Sequence, residues 1–200
     1  GDTIDLDALT ESGQATVEDP VAYWAEYVDR NQLYFNTGKG SFVERTHLAG
    51  DFCREPNSGR GLVYGDIDND GDLDLLVTTA GGRARLYRND VPKQGHWLSL
   101  TLLDPAHQRD AYGAELTVVA GTHRYYRILN PASSFLASHD PRVHVGLAEE
   151  SYDRIEVRWP DGSLQTEHFG GGSADRQLTL KRGTGTAAQA VGGSTATHRE

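Results

Sequence analysis

The chain has 200 residues, 37% of them hydrophobic, and a formal net charge of −10 at pH 7. This acidity argues against nucleic acid or an anionic membrane surface as a partner, because both carry negative charge themselves. No apolar run approaches the roughly 20 residues that a membrane-spanning helix needs, so we expect no membrane insertion. Cys53 is the only cysteine, which excludes an internal disulfide and a thiolate zinc cluster and leaves either an unremarkable thiol or an intermolecular disulfide.

The first predicted element is a short helix over residues 20–29. Asp19 suits the N-cap position and Pro20 suits the first helical position. Apolar and aromatic side chains, Tyr23 and Trp24 among them, follow at helical spacing and are expected in a core or on a docking surface. Two short strands around a glycine-rich turn are predicted next, between residues 31 and 44.

A short sequence repeat indicates the architecture of this first part of the chain. The pattern Leu-Tyr-x-Asn occurs twice, beginning at Leu33 and at Leu86. A repeat of about 40 to 50 residues built from short strands is typical of β-propeller blades. This segment holds barely one blade and part of another, whereas closed propellers have about 4 to 8. We therefore expect either missing blades that precede Gly1 in a longer parent chain, or another protein subunit, to cover the open side of the blade.

Between the two repeats lies a segment, residues 66–74, that we call the acidic loop. Acidic residues stand at every second position of it: Asp66, Asp68, Asp70, Asp72 and Asp74. Carboxylates at positions 1, 3, 5 and 9, with the backbone carbonyl of Asp72 at position 7, can surround one cation, and Gly71 permits the sharp turn this requires. Hard oxygen donors in this number suit Ca²⁺ better than Mg²⁺. The alternative is an acidic, glycine-containing hairpin turn that binds no metal.

The residues on either side of the acidic loop indicate its structural setting. An EF-hand would have a bidentate glutamate at position 12 and helices on both sides, but position 12 is Val77. The flanks, residues 61–65 and 73–79, are rich in β-branched, aromatic and leucine residues. The acidic loop is therefore predicted to join two adjacent strands.

From Gly95 onward the sequence predicts a second β domain. Residues 96–103 alternate between apolar and polar types, as a half-buried strand does. Further strands are predicted at 114–120, 124–129, 142–146, 154–159, 164–169 and 177–181. Tight connections at residues 121–122 and 160–162 favour a β-sandwich or barrel. We place a propeller segment at residues 1–92 and this domain at 93–182; the tail, 183–200, has too little apolar bulk to fold and is predicted to be mobile.

Two parts of the sequence resemble known families. Residues 65–75 resemble the calcium loop of FG-GAP/VCBS propeller repeats. Residues 96–162, including Asp140-Pro141-Arg142 and Trp159-Pro160-Asp161-Gly162, resemble the ASPIC/UnbV domain. In this order they are similar to the C-terminal end of cartilage acidic protein-like proteins, over roughly residues 32–180. The resemblance implies an all-β fold, a partial propeller blade with a calcium loop followed by a β-sandwich-like domain, in a calcium-binding, exported protein.

The sequence gives little support for an enzyme. It contains no nucleophile elbow, zinc-protease helix or phosphate-binding glycine loop. Ser138, His139 and Asp140 are adjacent, and an extended chain points such neighbours in different directions. His139 and His144 can in principle ligate a metal with nearby carboxylates, although ordinary turn and strand histidines explain them better.

We therefore expect a non-enzymatic, calcium-binding protein that is secreted, periplasmic or at the cell surface and acts as an interaction or structural subunit. Two alternatives remain: an accessory or catalytic protein of secondary-metabolite biosynthesis or glycan processing, and a carbohydrate-binding module. Exposed, coplanar aromatic rings would support glycan binding. Trp97 and Trp159 flank predicted strands and are expected in the core instead.

Overall fold

The computed structural model of the protein describes residues 20–163 and 165–187. It is nearly all β, with two short helices and fourteen strands in the described residues, so the predicted fold class is confirmed. The chain divides into two compact units, the first comprising residues up to Leu62 together with Leu76–Tyr87, the second comprising Val63–Leu75 and the residues from Arg88 onward. None of the described helices has the length and apolar character needed to cross a bilayer.

The first unit begins with helix α1 (Pro20–Ala25), which starts at the predicted proline and ends four residues earlier than predicted. Strands β1 (Tyr34–Asn36) and β2 (Phe42–Glu44) form an antiparallel hairpin around the glycine-rich turn. A 3-10 turn (Thr46–Leu48) and helix α2 (Asp51–Arg54) follow. Cys53 lies in α2 and is buried, and burial raises the pKa of its thiol.

A three-stranded sheet has the order β3 (Gly59–Gly65), β4 (Asp74–Thr79), β5 (Arg85–Tyr87). The acidic loop connects β3 to β4, so it joins two adjacent strands as predicted. Because the loop turns the chain through only eight residues between the strands, its backbone needs unusual conformations. Asn69 and Gly71 supply them, with φ of 60° and 95°.

The second unit contains two further sheets. Their strands are β6 (His96–Asp104), β7 (Arg109–Asp110), β8 (Glu115–Ala120), β9 (His123–Ile128), β10 (Val143–Leu147), β11 (Ser151–Arg158), β12 (Thr166–Ser173), β13 (Arg176–Lys181) and β14 (Thr186–Ala187). One sheet has the order β10-β6-β13, with β7 pairing on β6, and the other has the order β14-β12-β11-β8-β9. We call the first the β6 sheet. The tail predicted at 183–200 is wrong in its first part, because Thr186–Ala187 form β14 and pair with β12. Residues 188–200 lie outside the described residues.

The core of the second unit lies between these two sheets. A single cluster of buried side chains contains Leu98, Leu100 and Leu102 of β6 together with Leu116 of β8 and Ile155 of β11. Because one cluster draws on both sheets, they pack as a β-sandwich, the architecture that the sequence predicted. Burying a side chain such as leucine stabilises the folded state by roughly 1.5–3 kcal/mol.

The two tryptophans of the second unit have different surroundings. Trp159 is 4% exposed and belongs to the core cluster, as expected. Trp97 is half-buried, and its ring packs against the backbone of Gly71 in the acidic loop. Neither ring forms an open aromatic platform of the kind that a glycan-binding surface uses.

Candidate metal centre

Three carboxylates of the acidic loop converge on a common point. Ligand oxygens of Asp66, Asp68 and Asp74 all lie within 4.8 Å of one another. Asp66 and Asp74 are each only 2% exposed, whereas Asp68 faces solvent. Unpaired carboxylates are normally solvated, so two of them buried side by side need a compensating partner.

The loop backbone supplies part of that compensation. Asp66 accepts hydrogen bonds from the backbone N–H groups of Asp70 and Gly71, both at 3.1 Å. Asp74 accepts from Ile67 N–H and from Asn89 N–H, both at 2.9 Å. These bonds fix the orientation of both buried carboxylates. Each oxygen retains lone-pair capacity beyond its one hydrogen bond, so it can also coordinate a cation.

The other two predicted ligands have different partners in this structure. Asp70 Oδ1 accepts from Asp72 N–H at 2.9 Å, and its Oδ2 lies 3.8 Å from Lys93 Nζ. Burial raises the pKa of the Asp72 carboxyl, with Lys93 acting in the opposite direction. The structure thus brings together Asp66, Asp68 and Asp74, and places Asp70 beside Lys93 and Asp72 nearby in the loop.

The converging donors fit a hard divalent cation. All three are carboxylate oxygens, the ligand type that Ca²⁺ prefers, and no thiolate or imidazole lies among them. At separations of about 4 Å, each pair of like charges repels by roughly 4 kcal/mol at an effective dielectric of about 20. Asp66, Asp68 and Asp74 are therefore the residues that would hold calcium here, and the ion would supply positive charge that turns this repulsion into attraction.

An arginine that the sequence did not assign to the metal centre also contacts the acidic loop. Arg142 donates from Nη2 to the backbone carbonyl of Asp66 and from Nη1 to Asn69 Oδ1, each at 2.6 Å. Its Nε donates to Asp140 Oδ2 at 2.8 Å, and this hydrogen bond raises the pKa of the guanidinium. Arg142 is thus a bridge between Asp140 and the loop backbone.

The two histidines considered as metal ligands instead contact backbone groups. His144 Nε2 lies 2.8 Å from the carbonyl oxygen of Gly71, and since a carbonyl only accepts, Nε2 carries the hydrogen. His139 Nδ1 accepts from Tyr64 N–H at 3.2 Å. Neither belongs to the group formed by the three converging carboxylates.

Two segments of the chain match known family models. Residues 21–77 match the family model of the FG-GAP-like repeat, and residues 104–187 match that of ASPIC and UnbV. The acidic loop lies within the first match, and most strands of the β-sandwich lie within the second. The resemblance found in the sequence is therefore confirmed.

Three curated relatives share the name cartilage acidic protein 1. The chain is 27% identical to the Homo sapiens protein over 137 residues, which is 66% of this chain and 20% of that protein. It is 29% identical to the Mus musculus protein over 121 residues, covering 58% and 18%. It is 28% identical to the Xenopus tropicalis protein over 137 residues, covering 66% and 21%. The chain thus spans about a fifth of the length of the curated relatives it matches.

Proposed function

We propose that this chain, which carries an FG-GAP-like repeat followed by an ASPIC and UnbV region, is a calcium-binding structural or interaction subunit that works outside the cell. The observation that carries the proposal is the convergence of Asp66, Asp68 and Asp74 within 4.8 Å in a loop between two strands. The relatives' name, with its reference to cartilage and to acidity, supports an exported protein.

The position of the acidic loop between β3 and β4 indicates the role of the ion. Asp66 directly follows β3 and Asp74 begins β4, so one cation bound by both carboxylates would tie the ends of two paired strands together. Calcium is then a structural ion that holds strand register. For modules that work outside the cell, a dissociation constant of about 10⁻⁴ to 10⁻³ M is ordinary.

The surroundings of His139 and Asp140 support a non-enzymatic role. His139 is buried, stacks on Tyr64, and uses Nδ1 as an acceptor for a backbone N–H. Asp140 forms an ion pair with Arg142. His139 Nδ1 and the Asp140 carboxylate are thus engaged in holding the chain together and are not directed at a substrate.

The first unit supports a role in interaction. Its β1–β2 hairpin and the following 3-10 turn expose large apolar side chains: Phe35, Phe42 and Leu48 are 54%, 65% and 63% exposed. Apolar groups clustered on one short segment favour a covering partner. We propose that this partner is protein, either further propeller blades or another subunit.

Calorimetric titration of the metal-free protein with CaCl₂ tests the proposal, with MgCl₂ as comparison. We expect saturable calcium binding with a dissociation constant at or below about 10⁻³ M. At a calcium concentration 100 times the dissociation constant, mass action stabilises the folded state by about 2.7 kcal/mol, so the melting temperature should rise. Absence of binding heat together with an unchanged melt at 10-fold excess over about 10⁻³ M would overturn the proposal.

A further inference from the structure

The acidic loop lies against the outer face of the β6 sheet, on the side opposite the core, and every strand of the path β10-β6-β13 touches it. From β10, His144 donates to the carbonyl of Gly71 at 2.8 Å. From β6, the Trp97 ring packs so closely that a β-carbon on Gly71 would lie 2.1 Å from it. From β13, Gln177 Nε2 donates to Asn69 Oδ1 at 2.8 Å. All these residues belong to the second compact unit.

Arg142, which immediately precedes β10, makes two polar contacts with the acidic loop. It binds the carbonyl of Asp66, the first residue of the acidic loop, and the side chain of Asn69 at the turn of the loop. The same guanidinium is held by Asp140, which in turn donates its backbone N–H to the carbonyl of Tyr64 at 3.1 Å. Asp140 therefore holds the Arg142 guanidinium in place while the guanidinium binds the loop at the Asp66 carbonyl and at Asn69 Oδ1.

We infer that Arg142 is a positioning residue for the acidic loop, and that through it calcium binding and the stability of the β6 sheet are coupled. The inference rests on the proposed function, because it requires that calcium bind at Asp66, Asp68 and Asp74. Holding the Asp66 carbonyl and the Asn69 side chain keeps the loop in the conformation in which the carboxylates converge. A protein that spends only a fraction of its time in the binding conformation loses affinity in proportion to that fraction.

The direction in which one substitution changes the calcium affinity distinguishes a positioning role of Arg142 from a purely electrostatic one. A positive charge beside a cation site repels the cation, so removing the charge of Arg142 would strengthen calcium binding if charge were its only influence. If Arg142 holds the loop in place, removing it weakens binding, and loss of such outer contacts typically costs 10- to 100-fold in metal affinity. The two explanations therefore give opposite results for Arg142→Gln.

The coupling between calcium binding and the stability of the β6 sheet is reciprocal, so the stability of the sheet can be measured as a second test. If the β6 sheet favours the binding conformation of the loop, bound calcium must favour the folded β6 sheet by the same factor. Amide hydrogen exchange reports this locally. We expect calcium to slow exchange in β10 and β6 of the wild-type protein, and this slowing to be absent from Arg142→Gln.

The experiment measures calcium affinity by calorimetry, and hydrogen exchange with and without calcium, in the wild-type chain and four variants. Arg142→Gln removes the contacts and the charge. Asn69→Gly removes the side-chain acceptor that Arg142 shares with Gln177, while the Asp66 carbonyl remains and glycine readily adopts the positive φ of this position. Gln177→Ala removes the contact of Gln177 alone and shows how much of the effect of Asn69→Gly belongs to Arg142. Arg109→Gln, on the exposed strand β7, makes the same charge change elsewhere and serves as control.

We expect at least 10-fold weaker calcium binding in Arg142→Gln, weaker binding in Asn69→Gly, and wild-type affinity in Arg109→Gln. If Arg142→Gln does not fold, Asn69→Gly decides the matter by comparison with Gln177→Ala: we expect calcium binding weaker in Asn69→Gly than in Gln177→Ala. Wild-type or tighter affinity in Arg142→Gln or, where that variant does not fold, affinity in Asn69→Gly no weaker than in Gln177→Ala, while the wild-type protein binds calcium, overturns the coupling and leaves the proposed function standing. A wild-type chain that binds no calcium overturns both.

Discussion

The rings of Tyr64 and His139 stack with their centroids 3.8 Å apart and their planes 20° from parallel. Tyr64 is the penultimate residue of β3, the strand that leads into the acidic loop, and His139 lies in the segment before β10. The backbone N–H of Tyr64 donates to His139 Nδ1, so in this arrangement the imidazole is neutral and carries its hydrogen on Nε2. Burial also lowers the pKa of His139, which favours the same neutral form.

Acidification should therefore weaken the fold through His139. Its folded-state pKa lies below the unfolded value of about 6.5, so the stability it contributes is present above about pH 6.5 and is lost as pH falls through the folded-state pKa. In His139→Asn, the side-chain carbonyl can accept the same N–H and does not titrate. Melting temperatures measured from pH 7.5 downward should fall less steeply in this variant than in the wild type. His47→Asn, at an exposed histidine, should follow the wild-type profile; equal slopes in all three proteins would refute the prediction.

Asp66 and Asp68 should respond differently to loss of charge. Asp66 is buried and accepts two backbone N–H bonds, so Asp66→Asn leaves an amide NH₂ facing a donor and should cost about 1–3 kcal/mol in the metal-free protein. Asp68 is exposed, so Asp68→Asn should leave the metal-free melt unchanged or slightly raised. Both variants should bind calcium more weakly. Melting in EGTA and calorimetric titration measure the two effects separately, with Asp51→Asn as an exposed charge control. If the calcium affinity of Asp68→Asn is unchanged, Asp68 is not a calcium ligand.

Gly71→Ala should be strongly destabilising for two reasons. Its φ of 95° strains a residue with a β-carbon, and that carbon would collide with the Trp97 ring. Strain and overpacking each cost about 1–3 kcal/mol, which gives about 2–6 kcal/mol together. Gly162→Ala is a matched control, because Gly162 has φ of 76° and nothing within 4 Å of the added carbon. Urea denaturation should show a larger cost at Gly71; equal costs would mean that Trp97 moves aside without loss.

Leu100→Ala tests whether the sandwich has one cooperative core. Leu100 is completely buried in β6, the strand at the centre of its sheet. Deleting a buried leucine side chain in this way typically costs 2–5 kcal/mol, because the cavity it leaves collapses only in part. Leu136→Ala, at a side chain that is 84% exposed, should change the free energy of unfolding by less than about 0.5 kcal/mol. A small cost at Leu100, measured by denaturant unfolding, would contradict this description of the core.

The local features of this fold were largely readable from the sequence. Alternating side chains located β6, and Gly121 with Thr122 located the tight connection between β8 and β9. The spacing of the aspartates located the acidic loop, and the residues that flank it placed it between two strands. Each of these signals is carried by residues close together in the chain, where backbone geometry alone relates sequence to structure.

Features that depend on distant residues were not readable in the same way. Arg142 contacts Asp66 and Asn69 across more than 70 residues, and no local pattern pairs residues so far apart in the chain. β12 extends through Gly170–172, residues with low strand propensity, because pairing with β11 supplies the hydrogen bonds that local preference does not. The parallel pairing of β13 with β6 is of the same kind, since neighbours in space rather than in sequence decide it.

That parallel pairing has a consequence for biosynthesis. β6 ends at Asp104, but the strand that covers one of its two sides, β13, begins only at Arg176. Ribosomes synthesise about 5–20 residues per second. The leucine-rich strand β6 of a nascent polypeptide therefore has one edge unpaired for several seconds before β13 is synthesised. During that interval β6 is a template for intermolecular association. When this polypeptide is produced, we expect it to aggregate more slowly at reduced culture temperature. We also expect chaperones to bind it before it is released from the ribosome.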